Sequence, residues 1–276
     1  MKKIIVPIDF SDHSDYALRV AADIARKNKA QLYLLHMLDI SEQMISITEA
    51  TKRRELMFFM QLATKRFEEF VERDYMKGIK STPIIKHFKV FEEIDNVAKE
   101  VKADLIVMGS QGASGVKGYF VGSNTEKVVR TSDIPVLVVK SKAKEFHPKT
   151  IVFASNFDIE NLNAFKNIKQ FADSYKATLK MVYINTPNVN FKNTLEIREQ
   201  MRLFLNKTSI SNNSEDILIF NDYSVPDGII NAAELLQADM IAIPTHGRKG
   251  INKLLAGSVG EDLANTSQIP VLTVKI

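Results

Sequence analysis

The chain contains no cysteine among its 276 residues. Disulfide bonds and thiolate metal sites are therefore excluded, and the absence suits a reducing compartment. The chain also lacks any apolar run near the ~18 residues that a membrane-spanning helix needs. Its opening, MKKIIVPIDFSD, reaches an Asp before the apolar region of a signal peptide could be completed. We therefore expect a cytoplasmic protein with no membrane partner.

Neither sign of charge is in large excess. The chain has 37 Lys and Arg against 33 Asp and Glu, a net charge of +4. The densest basic stretch, TKRREL at 51–56, falls within a helical pattern. Such a stretch is typical of a solvated helix face, so we expect no nucleic-acid partner.

The sequence contains an internal repeat, the feature to establish first because it decides the fold. KADLIVMGSQGASG (102–115) resembles QADMIAIPTHGRKG (237–250), and VGSNTEKVVRTSDIPVLVVK (121–140) resembles AGSVGEDLANTSQIPVLTVK (256–275). Earlier matches, such as KAQLYLLHM (29–37) with KATLKMVYI (176–184), indicate that the second copy is shorter between Ile184 and Val225. The repeat predicts two domains, residues 1–143 and 144–276, with the polar linker SKAKEFHPKT (141–150) at the boundary.

Strand and helix periodicities alternate within each copy. KIIVPI, QLYLLHM, PIIKHF, DLIVMG and IPVLVVK are short apolar runs, typical of buried parallel strands. SDYALRVAADIARKN places small and apolar residues on one helical face. The alternation predicts an α/β fold of βαβ units with a parallel sheet and right-handed crossovers. The inward residues of this first helix are predicted to be Ala17, Val20, Ala21, Ile24 and Ala25.

A long, charged helix is predicted over residues 48–77. Its counterpart in the second copy, near TLEIREQMRLFLNK, is predicted to be shorter. The predicted inward residues of the long helix are Met57, Met60, Leu62, Phe67, Phe70 and Val71.

Glycine is scarce, yet five of the eleven glycines lie within residues 108–129. An ordered glycine costs conformational entropy, so a cluster needs a reason. The cluster begins where the strand DLIVMG ends, and ligands of open α/β sheets bind outside the carboxyl ends of strands where strand order reverses. Asp9 lies at the corresponding end of the first strand. If those strands are neighbours, Asp9 and Gly109 face one crevice.

The cluster ends in a helix start. Ser123 and Glu126 fit a capping box, and helix N-terminal N–H groups attract anions. Strand end, glycine loop and capped helix together predict a phosphate cradle, in which backbone N–H groups approach phosphate oxygens. A flexible loop followed by a routine cap is the alternative. The second copy favours the cradle, because Gly247, Gly257 and Ser258 keep the same spacing.

The glycine spacing resembles a known signature. Gly109-x-x-Gly112, nine residues and then Gly122-Ser123 looks like the ATP-binding motif of the universal stress protein family, and VPIDFS and IPVLVVK look like that family's first and last strands. The resemblance covers essentially the whole chain as two tandem copies. It implies two doubly wound five-stranded parallel sheets of strand order 3-2-1-4-5, with helices on both faces, and a stress-response protein.

The resemblance also implies a nucleotide site in the first copy, with ATP as the ligand. Backbone near Met37 would contact adenine, and the glycine region would hold ribose and phosphates. The implied nucleotide-binding residues are Pro7, Ile8, Asp9, Met37, Met108, Gly109, Gln111, Gly112, Gly122, Ser123, Asn124 and Thr125.

The second copy departs from this pattern in two places. Asn156 stands where the first copy has Asp9, and Pro244 replaces Gly109. Proline has no N–H to donate and fixes its own φ, and Asn lacks the charge for a metal or a ribose hydroxyl. We expect at most a weak second site. Its candidate residues are Asn156, Gly247, Gly257 and Ser258.

An enzyme needs a nucleophile, a base and a group that orients them. The five histidines show no metal-ligand spacing, and no G-x-S-x-G elbow occurs. We therefore predict no catalytic residue, no metal site of protein ligands and no enzyme activity. Asp9 with Ser123 could still hold the Mg²⁺ of bound ATP and permit slow hydrolysis. Three functions stay open: an ATP-binding protein coupling occupancy to conformation or association, a pure interaction module, and a slow ATPase.

The two closing strands, PVLVVK and PVLTVK, are predicted edge strands. Unpaired edges seek partners, so we expect them to pair antiparallel within the chain. Two such chains could then associate as a homodimer.

Overall fold

The protein is described from a computed structural model. The described residues are 1–38, 49–87, 90–110, 123–142, 145–187, 191–208, 217–245 and 259–276. The chain forms two compact units. Unit 1 comprises Met1–Val128 and Val136–Phe146, and unit 2 comprises Val129–Pro135 and His147–Ile276. The predicted domain boundary, between residues 143 and 144, lies outside the described residues.

Strands and helices alternate in unit 1 as the periodicity predicts. The elements are β1 (Lys3–Pro7), α1 (Asp12–Asn28), β2 (Gln31–Leu38), α2 (Glu49–Val71), a 3-10 turn (Asp74–Met76), β3 (Ser81–His87), α3 (Val90–Glu100), β4 (Leu105–Gly109), α4 (Ser123–Thr131) and β5 (Val136–Val139).

Unit 2 repeats this order. Its elements are β6 (Thr150–Ala154), a 3-10 turn (Ile159–Asn161), α5 (Leu162–Tyr175), β7 (Thr178–Asn185), α6 (Thr194–Asn206), β8 (Ile217–Asn221), α7 (Val225–Leu235), β9 (Met240–Thr245), α8 (Val259–Thr266) and β10 (Val271–Lys275).

Both sheets are parallel and share one strand order. In unit 1 the order is β3-β2-β1-β4-β5, and in unit 2 it is β8-β7-β6-β9-β10. Strand order reverses beside β1 and beside β6, because the chain moves outward on one side before returning to the other. The predicted order 3-2-1-4-5 is confirmed in each unit.

Helices cover the sheets through apolar faces. The five predicted inward residues of α1 are all buried, and α1 packs across β1, β4 and β5. In unit 2, alternate residues of β6 face opposite layers, as the strand period requires. Val152 packs with residues of α7 and α8, whereas Phe153 stacks on Phe165 of α5, at 5.1 Å between ring centroids. Helices therefore lie on both faces of this sheet.

Helix α2 differs from its prediction. Phe67 and Phe70 are buried as expected, but Met57, Leu62 and Val71 are 56%, 40% and 36% exposed, and Met60 is exposed too. For Met57 and Met60 the reason is length: α2 has 23 residues and its counterpart α6 has 13, so the N-terminal half of α2 has little core to cover. This reason does not apply to Leu62 and Val71, which lie in the second half of the helix.

Candidate functional site

Strands β1 and β4 are neighbours, as the site prediction requires. Ile4 pairs with Leu105 and Ile5 with Ile106, so both strands end at the same edge of the sheet. Asp9 follows β1 and Gly109 ends β4. These two neighbouring strand ends lie at the reversal of strand order, where ligands of open α/β sheets bind.

Asp9 is held by the residue that starts helix α1. Its Oδ1 accepts hydrogen bonds from the backbone N–H of Ser11 (3.0 Å) and from the Ser11 hydroxyl (2.6 Å). The Ser11 hydroxyl also accepts from the N–H of Ser14, which makes Ser11 the N-cap of α1. The half-buried carboxylate of Asp9 is thus oriented beside a helix N-terminus.

Phe10 fixes the turn between β1 and α1. Its φ is +63°, a left-handed conformation that is uncommon for a bulky residue and needs support from the surroundings. The support is aromatic: its ring centroid lies 4.6 Å from that of His36, 5.2 Å from Phe67 and 5.4 Å from Phe70. Helix α2 and strand β2 therefore position the loop that carries Asp9.

His36 connects the same loop to β2. Its Nδ1 lies 2.7 Å from the backbone oxygen of Ile8, to which it donates when protonated. Burial lowers the pKa of His36, while this hydrogen bond and the nearby Asp9 oppose the shift. The imidazole is therefore favoured in its neutral form, as a structural link.

Gly109 allows a close approach between β4 and α1. A Cβ on Gly109 would lie 2.6 Å from the backbone oxygen of His13 and 3.0 Å from the His13 Cβ, closer than any real Cβ contact. The sequence-based prediction explained Gly109 by phosphate binding alone. Packing against the first turn of α1 is a second reason for it, and one that acts without any ligand.

Helix α4 is attached to the same glycine. The Thr125 hydroxyl donates a 2.9 Å hydrogen bond to the carbonyl oxygen of Gly109, and Thr125 is buried. Helix α4 begins at Ser123, with Glu126 in its first turn. The side chain of Ser123 lies outside the described residues, so its cap stays a prediction. Two helix N-termini, those of α1 and α4, thus meet beside Gly109.

Most predicted residues of the first site lie at this one edge. Pro7, Ile8 and Asp9 end or follow β1, and Met37 lies at the end of β2, past Leu35, the partner of Pro7. Met108, Gly109, Asn124 and Thr125 belong to β4 and α4. Gln111, Gly112 and Gly122 lie outside the described residues.

In unit 2, the side-chain amide of Asn156 forms hydrogen bonds within the protein. Its Nδ2 donates to Asp158 (2.5 Å), and its Oδ1 accepts from the Nδ2 of Asn161 (2.5 Å) and the N–H of Asp158 (3.2 Å). The side chain of Gln200, on α6, donates to the backbone oxygen of Asn156 and to Asp158, at 2.7 Å each. The amide of Asn156 is therefore engaged within the protein.

The glycine of unit 1 has no equivalent in unit 2. Pro244 occupies that position in β9, paired with Val274, and a 3-10 turn, Ile159–Asn161, stands where α1 has its first turn. Helix α5 starts only at Leu162, and no side chain caps it. The other candidates of the second site, Gly247, Gly257 and Ser258, lie outside the described residues.

The sequence analysis missed three neighbours of the site: Phe10, Ser11 and His13. One signal was available in the sequence, because the repeat aligns Phe157 with Phe10. In the structure Phe157 also has a positive φ, +55°. The Asp-x-Ser order was a second signal, typical of a turn that caps a helix. No pattern in the sequence marked His13, because its neighbour Gly109 is far away along the chain.

The part of the chain that the structure describes contains no group of three or more His, Asp or Glu side chains arranged to hold a metal ion. Within the same ranges, no helix is both long enough and apolar enough to cross a membrane.

Comparison with known proteins identifies the family. A model of the universal stress protein family matches residues 1–140 and again residues 148–275. Together the two matches cover nearly the whole chain and follow the internal repeat. The chain belongs to the universal stress protein family, as two tandem domains, and its members are stress-response proteins.

Individual relatives resemble one copy or the whole chain. A universal stress protein of Methanocaldococcus jannaschii is 31% identical over 151 residues, which is 52% of this chain and 85% of the relative. The solved structure of a universal stress protein from Archaeoglobus fulgidus DSM 4304 covers 99% of this chain and 96% of its own, with a TM-score of 0.69 and 19% identity, a likeness of fold. A universal stress protein solved in complex with cAMP covers 50% of this chain and 96% of its own, at 24% identity and a TM-score of 0.36.

Proposed function

We propose that unit 1 binds ATP at the carboxyl edge of β1 and β4, and that occupancy of this site controls the conformation or association of the protein. One observation carries the proposal. Asp9, Gly109 and the first turn of α4 converge at the reversal of strand order, where Thr125 attaches α4 to the last residue of β4. A carboxylate there suits ribose hydroxyls, and helix N–H groups suit phosphates.

Unit 2 supports the proposal by contrast. In unit 1 the residue at the sheet edge is a carboxylate, that of Asp9, which Ser11 orients beside the N-terminus of α1. In unit 2 the amide of Asn156 bonds on both its nitrogen and its oxygen. We therefore propose one ATP per chain.

The ligand test uses matched glycines of the repeat. In the intact chain, Gly112→Val would place a branched side chain where backbone is proposed to meet phosphate, and Gly247→Val makes the same change in unit 2. Isothermal titration calorimetry should show one ATP per wild-type chain, no measurable binding by Gly112→Val and unchanged binding by Gly247→Val. Two equal sites would contradict the proposal of one ATP per chain, and undiminished binding by a folded Gly112→Val variant would contradict the cradle. Titration with cAMP compares the two adenine nucleotides.

An interaction module without nucleotide is the second candidate. The packing of Gly109 on His13 favours it, because that contact explains one glycine without any ligand. So does the exposed apolar surface of α2, where Met57 and Phe58 are 56% and 61% exposed. Equilibrium dialysis with ATP separates the candidates. We assign no catalytic residue, and hydrolysis no faster than that of free ATP is the expected result.

A further inference from the structure

His13 lies at the meeting point of the two helix N-termini described above. It is the second residue of α1, and its backbone and Cβ are in contact distance of Gly109. Helix α4 is attached to the same glycine through Thr125. The side chain of His13 therefore emerges where the glycine stretch begins.

One ring atom of His13 is buried and unsatisfied. Within the described part of the chain, no group forms a hydrogen bond with its Nδ1, although solvent does not reach that atom. The ring meets that of Tyr16 edge-on, with 5.7 Å between centroids, but this contact leaves the nitrogen without a partner. Buried polar atoms in native proteins are nearly always paired, so an exception requires an explanation. A bound ligand is one.

The order of the strands in the sheet indicates which part of a nucleotide would reach His13. The proposed adenine contact, Met37, lies on β2, and β1 separates β2 from β4. Neighbouring strands are about 4.8 Å apart, so the end of β4 lies roughly 10 Å from that of β2. A nucleotide with its base at Met37 therefore extends its phosphates toward Gly109 and His13.

Unit 2 carries the opposite chemistry at this position. The repeat places Glu160 where unit 1 has His13, and Glu160 lies exposed in the 3-10 turn. A carboxylate there repels phosphate, whereas an imidazole N–H donates a hydrogen bond to it.

We propose that His13 is a phosphate-binding residue of unit 1, donating from Nδ1 to a phosphate oxygen of the bound nucleotide. The inference rests on the proposed function, because it assumes that unit 1 binds ATP. It adds a residue outside the glycine stretch and a reason for the difference between the units.

Three substitutions test which atom acts. His13→Asn keeps an N–H near the position of Nδ1, His13→Gln moves the donor toward Nε2, and His13→Glu imports the residue of unit 2. Losing a hydrogen bond to a charged group lowers affinity by roughly tenfold or more. We expect His13→Gln to lose that much ATP affinity, His13→Glu to lose more, and His13→Asn to stay within about threefold of wild type. Adenosine, followed by ligand-detected NMR, should bind all four proteins alike.

The outcomes separate the inference from the proposed function. If wild type binds ATP and the three variants bind it equally well, the inference is overturned and the site in unit 1 stands. An equal loss of ATP and adenosine would also overturn it, because the effect would then be on folding or on base binding. If the wild-type chain binds no ATP, both the inference about His13 and the proposed function of unit 1 are wrong. Thermal unfolding checks that each variant is folded, and on the wild-type chain ATP, but not adenosine, should shift the ¹⁵N resonance of His13 Nδ1.

Discussion

Units 1 and 2 share a sheet but differ at its carboxyl edge. In unit 1, Ser11 caps a helix that starts beside the sheet edge and also holds the carboxylate of Asp9. In unit 2, an uncapped 3-10 turn stands in place of the first helical turn, and Asn156 is bonded on both sides. The difference teaches that both copies kept the strands, while the residues at the sheet edge diverged, to a carboxylate beside a capped helix in unit 1 and to an internally hydrogen-bonded amide in unit 2.

The largest effect is expected from replacing Asp9, the charged residue that distinguishes unit 1 from unit 2. Asp9→Ala should lower ATP affinity roughly tenfold to a hundredfold, since a hydrogen bond to a charged group contributes about 1.5–3 kcal/mol. Asn156→Ala is the matched control. It should leave ATP affinity unchanged and instead destabilise unit 2, because Asn161 and Asp158 lose their partner. Calorimetry measures the ATP affinity of both variants, and urea unfolding measures their stability. A loss of ATP binding in Asn156→Ala would contradict the assignment of the site to unit 1.

The next effect concerns the close approach of β4 and α1. Gly109→Ala adds a Cβ that would lie 2.6 Å from the His13 oxygen, and such overpacking costs about 1–3 kcal/mol. Pro244→Ala, in unit 2, exchanges one residue with a Cβ for another and should cost less. Thermal unfolding of the two variants gives the comparison. Equal stabilities would show that α1 moves aside without cost.

A smaller effect is expected at the attachment of α4. Thr125→Val removes the hydrogen bond to Gly109 but keeps the shape of the side chain, and should cost about 1 kcal/mol of unfolding free energy. Unit 2 has Gly260 at this position, where an added Cβ would lie 3.1 Å from Thr245. No such hydrogen bond is possible there. Urea unfolding measures the loss, and a Thr125→Ser variant, which keeps the hydroxyl, should recover part of it.

The smallest effect is a dependence on pH. Burial lowers the pKa of His36 below its ordinary value of 6.5, so the folded state favours the neutral ring. The contribution of the neutral His36 ring to the free energy of unfolding is present above pH 6.5 and is lost as the pH falls through the lowered pKa. The repeat places Tyr183 at this position in unit 2, where burial and Asp158 raise the tyrosine pKa and keep it neutral throughout this range.

His36→Tyr therefore sharpens the comparison. Between pH 7.5 and 5.5 the wild-type chain should lose more unfolding free energy than this variant does. Urea unfolding at the two values measures the difference. Identical losses would show that His36 is not a source of acid sensitivity.

The parts of the prediction that held rest on local signals. The order of strands and helices followed from periodicity and from the repeat, and the shared edge of Asp9 and Gly109 followed from the places where β1 and β4 end. The inward face of α2 was predicted in part. Its period was right at Phe67 and Phe70, but the sequence does not show how far the sheet extends beneath a long helix.

The sequence by itself determined the tandem repeat, the α/β class and the residues at each strand end, because apolar runs and glycine spacing are properties of neighbouring residues. Only the tertiary structure decided what those residues contact. Gly109 needs to be glycine because His13 lies against it, and the backbone oxygen of Asn156 is held because Gln200 reaches it from another helix. Each contact joins residues far apart in the chain, and their distance depends on how the helices pack on the sheet.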